Sequence, residues 1–244
     1  MKTPRYKKRH YRGWVGAAGL VSSQVCVQET DLYISSDSAV DRGYCIERIR
    51  HYRRQIQAYI TRDDRFLTSL KPLAVERSAP SIVQDMAAAA RKANVGPMAA
   101  VAGAIAQYVG KDLMKKGCRN IIVENGGDIF INMRKSVSVG VFAGTSALSG
   151  RLRLRIARSG RSYGICTSSG TVGHSLSFGK ADAVMIVAAT AALADAVATA
   201  TANRVQTKDD FLPAVRFARS VRGVTGALII VKNDIVSWGT MVLS

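Results

Sequence analysis

Three short stretches of this chain combine residue types and spacings that can do chemistry. The first is Cys166-Thr167-Ser168-Ser169-Gly170-Thr171-Val172-Gly173-His174, a run of hydroxyls and glycines that ends on an imidazole. Loops of this composition present N–H and O–H groups to a phosphate. His174 is the residue type that serves as a general base or binds a phosphate. The second stretch holds Asp195 and Thr199, spaced i, i+4 and so on one face of an alanine-rich helix. A carboxylate in such apolar company requires a cation, a cluster of backbone donors or water, because unpaired burial is costly. Carboxylate and hydroxyl are hard oxygen ligands suited to Mg²⁺. The third is Gly126-Gly127-Asp128, at a turn that lets another group approach the backbone closely. Each stretch also has a plain structural reading: a polar loop, a hydrogen-bonded histidine, an exposed Asp, a turn that needs glycine.

The elements that position these residues are legible from periodicity. Residues 14–28 read as one strand and 31–36 as another, with Glu29-Thr30 at the turn. Ser38 is expected to cap a helix over 39–60, and a shorter helix follows through Phe66 and Leu70. Another helix begins at Ser78-Ala79-Pro80 and closes at Asn94 and Gly96. A long one runs from Pro97 to Lys116 and stops at Gly117. Strands over 119–124 and 128–133 flank Asn125-Gly126-Gly127, a strong hairpin signal because primed turns need positive φ. The second half offers strands over 136–142, 151–157, 164–167 and 185–188, and helices over 189–204 and 209–220. It ends in a hairpin over 224–231 and 234–240 around Lys232-Asn233. The pattern predicts an α+β protein of two ββααββ halves, antiparallel sheets with helices packed on one face. The expected organisation is a basic tail over residues 1–14 and a single domain over 15–244, built from pseudo-repeats 15–134 and 135–244.

Composition narrows the partners. The chain has 244 residues, with 35 Lys and Arg against 17 Asp and Glu, a formal charge of +18. No apolar run approaches the ~18–20 residues that cross a bilayer, so no membrane association by spanning is expected. Lys2, Arg5, Lys7, Lys8, Arg9 and Arg12 resemble the start of an export signal. The apolar stretch that follows is short, broken by glycine and ended by Ser22-Ser23, so a cytoplasmic protein is expected. Cys26, Cys45, Cys118 and Cys166 form no CxxC pair and read as reduced thiols. Residues 129–181 contain no acid, while Arg134, Lys135, Arg151, Arg153, Arg155, Arg158, Arg161 and Lys180 fall within them. Such a one-sign stretch favours an anionic partner. Arg151, Arg153 and Arg155 alternate with apolar residues and so share one face of a half-buried strand.

Three motifs in this order resemble those of the ApbE superfamily, whose founding members transfer FMN from FAD to proteins. Val123-Glu124-Asn125-Gly126-Gly127-Asp128-Ile129 resembles that family's GGDI hairpin. Thr167-Ser168-Ser169-Gly170 with His174 resembles its TSG segment and following His. Residues 194–200 are similar to its ADALSTA helix, whose Asp and Thr bind Mg²⁺. The resemblance implies the tunnelling fold, a metal on Asp195 and Thr199, and FAD or FMN held by Gly126, Gly127, Asp128, Thr167, Ser168, Ser169 and Gly170. It implies His174 as the catalytic residue if the chain is an enzyme, then a transferase related to FAD:protein FMN transferases. The chain departs from the family at three places. Residues 103–108 replace a Lys-Gly-Tyr-Ala-Val-Asp segment, Ser175 to Lys180 replace a His-x-x-Asp-Pro-x-Thr-Gly motif after the His, and no Met-Gly-Thr strand occurs over 21–28. The pattern looks most like a small cytosolic, uncharacterised branch found in anaerobes.

The leading expectation is therefore a protein that binds a phosphate-bearing, flavin-nucleotide-like ligand together with a divalent metal. A second reading, also implied by the resemblance, is a non-catalytic accessory of anaerobic sulfur and homocysteine metabolism that docks an acidic iron–sulfur redox protein. A third is a nucleic-acid-binding protein, suggested by the Arg-rich segment 42–65 but lacking any recognition motif. A homodimer is left open.

Overall fold

The computed structural model describes residues 15–16, 19–144, 146–157, 160–170 and 179–243. The candidate catalytic His174 lies outside them. Among the described residues twelve strands form two sheets. The larger contains β2 (Val21–Val27), β3 (Thr30–Ser36), β4 (Ile121–Asn125), β5 (Asp128–Asn132), β8 (Tyr163–Ser168), β9 (Ala183–Ala188), β10 (Val224–Val231) and β11 (Asp234–Gly239). They run antiparallel in the order β11-β10-β9-β8-β5-β4-β3-β2. The smaller contains β1 (Val15–Gly16), β6 (Val137–Gly140), β7 (Arg153–Ile156) and β12 (Met241–Leu243), in the order β1-β6-β7-β12. The helices are α1 (Arg42–Arg62), α2 (Arg65–Thr68), α3 (Ser81–Ala93), α4 (Val101–Lys115), α5 (Ala191–Ala202) and α6 (Phe211–Ser220), with a 3-10 turn at Pro97–Ala100 leading into α4.

Alternation along the strands of the large sheet sends side chains into two separate cores. Leu32, Ile34, Val123, Phe130, Cys166, Ile186 and Ile229 face the helices. Ile122, Ile131, Ile165, Met185 and Leu228 face Val139, Leu154 and Ile156 of the small sheet. The result is helices, large sheet and small sheet in three layers, an α+β architecture with the helices on one side. Each half of the large sheet follows the order two strands, helices, two strands, and the halves join where β5 pairs with β8.

Several expectations need correction. The strands at 137–140 and 153–156 do not open the second half of the large sheet; they belong to the small one, and that role falls to β8 and β9. The single strand expected over 14–28 is two strands interrupted at Gly19, whose φ is +87°. The β2–β3 turn is Gln28-Glu29, with Gln28 at φ +54°, rather than Glu29-Thr30. Asp41, not Ser38, caps α1, accepting from the Gly43 and Tyr44 amides at 2.8 and 3.2 Å. Asn94 in the left-handed conformation does close α3, and Gly117 at φ +105° follows α4. No helix among the described residues is long and apolar enough to cross a membrane.

Candidate functional site

The β4–β5 hairpin closes on the pair Asn125–Asp128, leaving Gly126 and Gly127 as a two-residue turn. Both have positive φ, +70° and +105°, which side-chain-bearing residues rarely adopt. Asn125 therefore belongs to the strand, and its Nδ2 donates to the Ala102 carbonyl at 3.1 Å, tying the hairpin to the start of α4. The Gly127 amide donates to Glu124 Oε1 at 3.0 Å. On the other side β5 pairs with β8, Asp128 opposite Cys166, and the Thr167 amide donates to the Gly127 carbonyl at 3.3 Å. The structure thus brings Gly126, Gly127 and Asp128 beside Thr167 and Ser168. The Gly170 amide is held on the Ala181 carbonyl at 2.9 Å, so the exposed end of the Thr167–Gly170 stretch is anchored.

Helix α5 lies across this corner because small residues let it press close. A Cβ on Gly164 of β8 would sit 2.3 Å from Ala191 Cα, and one on Gly103 of α4 would sit 2.4 Å from the Ala191 carbonyl oxygen. Thr190 caps the helix by accepting from the Leu193 amide at 3.2 Å, and Gln107 Oε1 accepts from the Ala191 amide at 2.9 Å. Of the 12 residues of α5, Asp195 and Thr199 are the two that are half-buried rather than fully buried. The strip they form is the one side of α5 that its neighbours do not fully cover.

Asp195 Oδ2 accepts from the Gly103 amide at 2.9 Å, in the first turn of α4. Burial pushes its carboxyl well above the usual carboxylate range, and the charge of Asp128 adds to that, while the Gly103 and Ala102 amides pull the other way. The Cys166 thiol, which contacts the Ala191 carbonyl at 3.3 Å, is likewise pushed well up by burial and then by Asp128 and Asp195. A thiol held protonated is a poor nucleophile. Among the described residues no cationic side chain pairs with Asp195.

Among the described residues no three His, Cys, Asp or Glu side chains gather to hold a metal ion. The donor chemistry nevertheless suits one. A carboxylate whose ionisation is opposed by burial and by a second carboxylate, with a hydroxyl on its own helix face, has the hard oxygen donors that suit a cation completing its shell with water or a ligand phosphate. The residues that sequence reading missed are those that frame Asp195: the Ala102 and Gly103 amides, Asn125 and Gln107. Main-chain donors carry no signature in a sequence. The apolar helix around Asp195 signalled only that some backbone or cationic partner had to exist.

Comparison with known proteins bears on the family and the fold. The family model described as "AbpE bacteria" matches residues 12–222. The UPF0280 protein of Methanocaldococcus jannaschii is 42% identical over 220 residues, which cover 87% of this chain and 88% of that one. Among solved structures, the ApbE protein from Thermotoga maritima superposes with a TM-score of 0.62 at 12% identity, over 89% of this chain and 96% of that one. The flavin transferase ApbE from Vibrio cholerae gives 0.59 at 14% identity, over 91% and 97%. At such identities the two structures speak for the fold alone, whereas the family model spans most of the chain. The chain belongs to the bacterial ApbE-like family and has its tunnelling fold.

Proposed function

We propose that this protein binds a phosphate-bearing ligand of the flavin-nucleotide class, FAD or FMN, together with Mg²⁺. The observation that carries the reading is the half-buried strip of Asp195 and Thr199 on an otherwise buried α5, with the charge of Asp128 acting on Asp195 and no cationic side chain among the described residues paired with Asp195. Asp195, Thr199 and Asp128 would hold the cation. The hydroxyls and amides of Thr167, Ser168, Ser169 and Gly170, beside the glycines of the hairpin turn, would receive the phosphates. The bound cation would neutralise phosphate charge and polarise a phosphoryl oxygen. If the ligand is then transferred, His174 is the imidazole assigned to move a proton. The chemistry is consistent with what the names of the Vibrio cholerae structures state for those proteins.

Equilibrium titration with FAD and with FMN, with and without Mg²⁺, tests this on the wild type and on Asp195→Ala. The expected result is Mg²⁺-dependent binding that the variant loses. Absence of binding under every condition contradicts it.

A second reading has its own observation. Arg153 and Arg155 project, exposed, from the outer face of the small sheet, where they oppose Gly140, Ser138 and Val242 rather than any acid. That surface suits an acidic protein partner, a redox carrier among them. On this reading, Arg153→Gln with Arg155→Gln abolishes partner capture, and Asp195→Ala leaves it intact.

A further inference from the structure

The β4–β5 hairpin has a second end, remote from its turn. Its five-residue strands carry the chain roughly 16 Å away from the Gly126-Gly127 turn. At that far end lies a cavity of about 390 Å³ between the C-terminus of α4 and the two strand ends. Its floor is apolar, made of Met114, Cys118 and Met133. Its rim is cationic, made of Arg119 and Arg134, and no acid lines it.

The backbone that carries these arginines is held in place. Asp37 uses both carboxylate oxygens on the Arg119 amide, at 3.2 and 3.3 Å, and also accepts from the Asn120 amide and Asn120 Nδ2. Asn120 Oδ1 accepts from the Arg134 amide at 3.0 Å, and Asn132 Nδ2 donates to the Arg119 carbonyl at 2.9 Å. The polar groups near this corner are thus spent on the main chain. Both guanidiniums are exposed, and neither makes a hydrogen bond or ion pair among the described residues. Fixed backbone, adaptable methionine floor and two unpaired guanidinium forks make an arrangement that matches an oxyanion attached to an apolar body.

We infer that this cavity binds a small organic phosphate monoester, its phosphate on Arg119 and Arg134 and its apolar part on Met114 and Met133. The site is distinct from the one around Asp195, and its existence does not depend on flavin binding there. The cavity volume falls within the range of small-molecule sites.

The test uses the full chain labelled with ¹³C at methionine methyls, with the Met114 and Met133 signals assigned through Met114→Leu and Met133→Leu. Phenyl phosphate is the probe, with inorganic phosphate and hexanoate as separate arms. The expected result is a saturable shift of both methyl signals with phenyl phosphate, at higher affinity than either separate arm. Arg119→Gln and Arg134→Gln are each expected to weaken it about tenfold or more, the ordinary worth of a charge-assisted contact. Arg50→Gln with Arg54→Gln removes twice the charge of either variant, from the exposed side of α1, and is expected to change nothing. Asp195→Ala is likewise expected to leave the shifts in place. Unmoved Met114 and Met133 signals, or equal loss in the α1 variant, would overturn the inference. Inorganic phosphate binding as tightly as phenyl phosphate would overturn the role of the floor. The Arg119 and Arg134 variants alter exposed side chains, and unchanged dispersion of the remaining methyl signals verifies their fold.

Discussion

Asp112 and Asp195 are two carboxylates on packed helices that meet opposite solutions. Asp112, on α4, is buried yet surrounded: Arg48 Nε donates at 2.7 Å, Lys115 Nζ at 3.1 Å and the Tyr52 hydroxyl at 2.5 Å. Burial alone would raise its pKa, but the hydrogen bonds from Tyr52, Lys115 and Arg48 prevail and hold it below the usual carboxylate range. The Tyr52 hydroxyl is pushed up to about 12, by burial first and then by that same carboxylate. Asp195, on α5, meets main-chain amides and a second carboxylate, and its pKa goes up instead. A fold that supplies three donors to one acid and an opposing acid to the other has made the first a structural joint between α1 and α4. The second is the group that, on the proposed reading, would take a cation.

The comparison can be broken by substitution. Asp112→Ala is expected to cost the most, on the order of 3 kcal/mol, because it strands the partly buried Arg48 and the Tyr52 hydroxyl. Denaturant unfolding measures it. Since the pKa of Asp112 is lowered on folding, its contribution is present above about pH 4 and lost as pH falls through the folded value. The variant should therefore show a flatter decline of stability in acid. Gly103→Ala is expected to cost roughly 1–3 kcal/mol by forcing a methyl against the Ala191 carbonyl, and to weaken any ligand held by Asp195 as α5 shifts. Gln107→Ala should cost about 1–2 kcal/mol, since it leaves the Ala191 amide buried without its acceptor.

Asp195→Asn is the smallest effect and the sharpest, because its sign is reversed. A carboxyl whose pKa is raised on folding stabilises the fold at low pH, and that contribution is lost as pH rises from about 4 through the folded value. Removing the titration should make the metal-free protein slightly more stable at pH 8 than the wild type. Thermal unfolding followed across pH checks it. A loss of stability there would make Asp195 a joint of the same kind as Asp112.

How much of this was legible in the sequence follows from the kind of interaction involved. Asn125-Gly126-Gly127 marked its hairpin because positive φ at two successive positions selects glycine. Asp195 and Thr199 declared a shared face because helical spacing is rigid. The alternation at Val137–Gly140 and Arg153–Ile156 announced strands but not their sheet, since period two says nothing about which edge a strand joins. The positive φ of Gln28 was invisible for a different reason: glutamine has no special claim on that conformation, and the β2–β3 register imposes it. The contact between Gly103 and Asp195 spans 92 positions and uses a main-chain donor, so no local pattern records it. The placement of Asp128 against Asp195 is equally hidden, although each residue carries a local signal of its own.

On the proposed reading, Asp195 completes a cation-dependent ligand site. Its most direct test is thermal unfolding at pH 8 of wild type, Asp195→Asn and Asp112→Asn, each with FAD alone, Mg²⁺ alone and both together. Added ligand that binds only the folded state raises the melting temperature, by an amount that grows with the logarithm of its concentration above Kd. The expected result is a rise with FAD and Mg²⁺ together in the wild type and in Asp112→Asn, from its lower baseline, and none in Asp195→Asn. An equal rise in Asp195→Asn, or none in any of the three, would contradict the account.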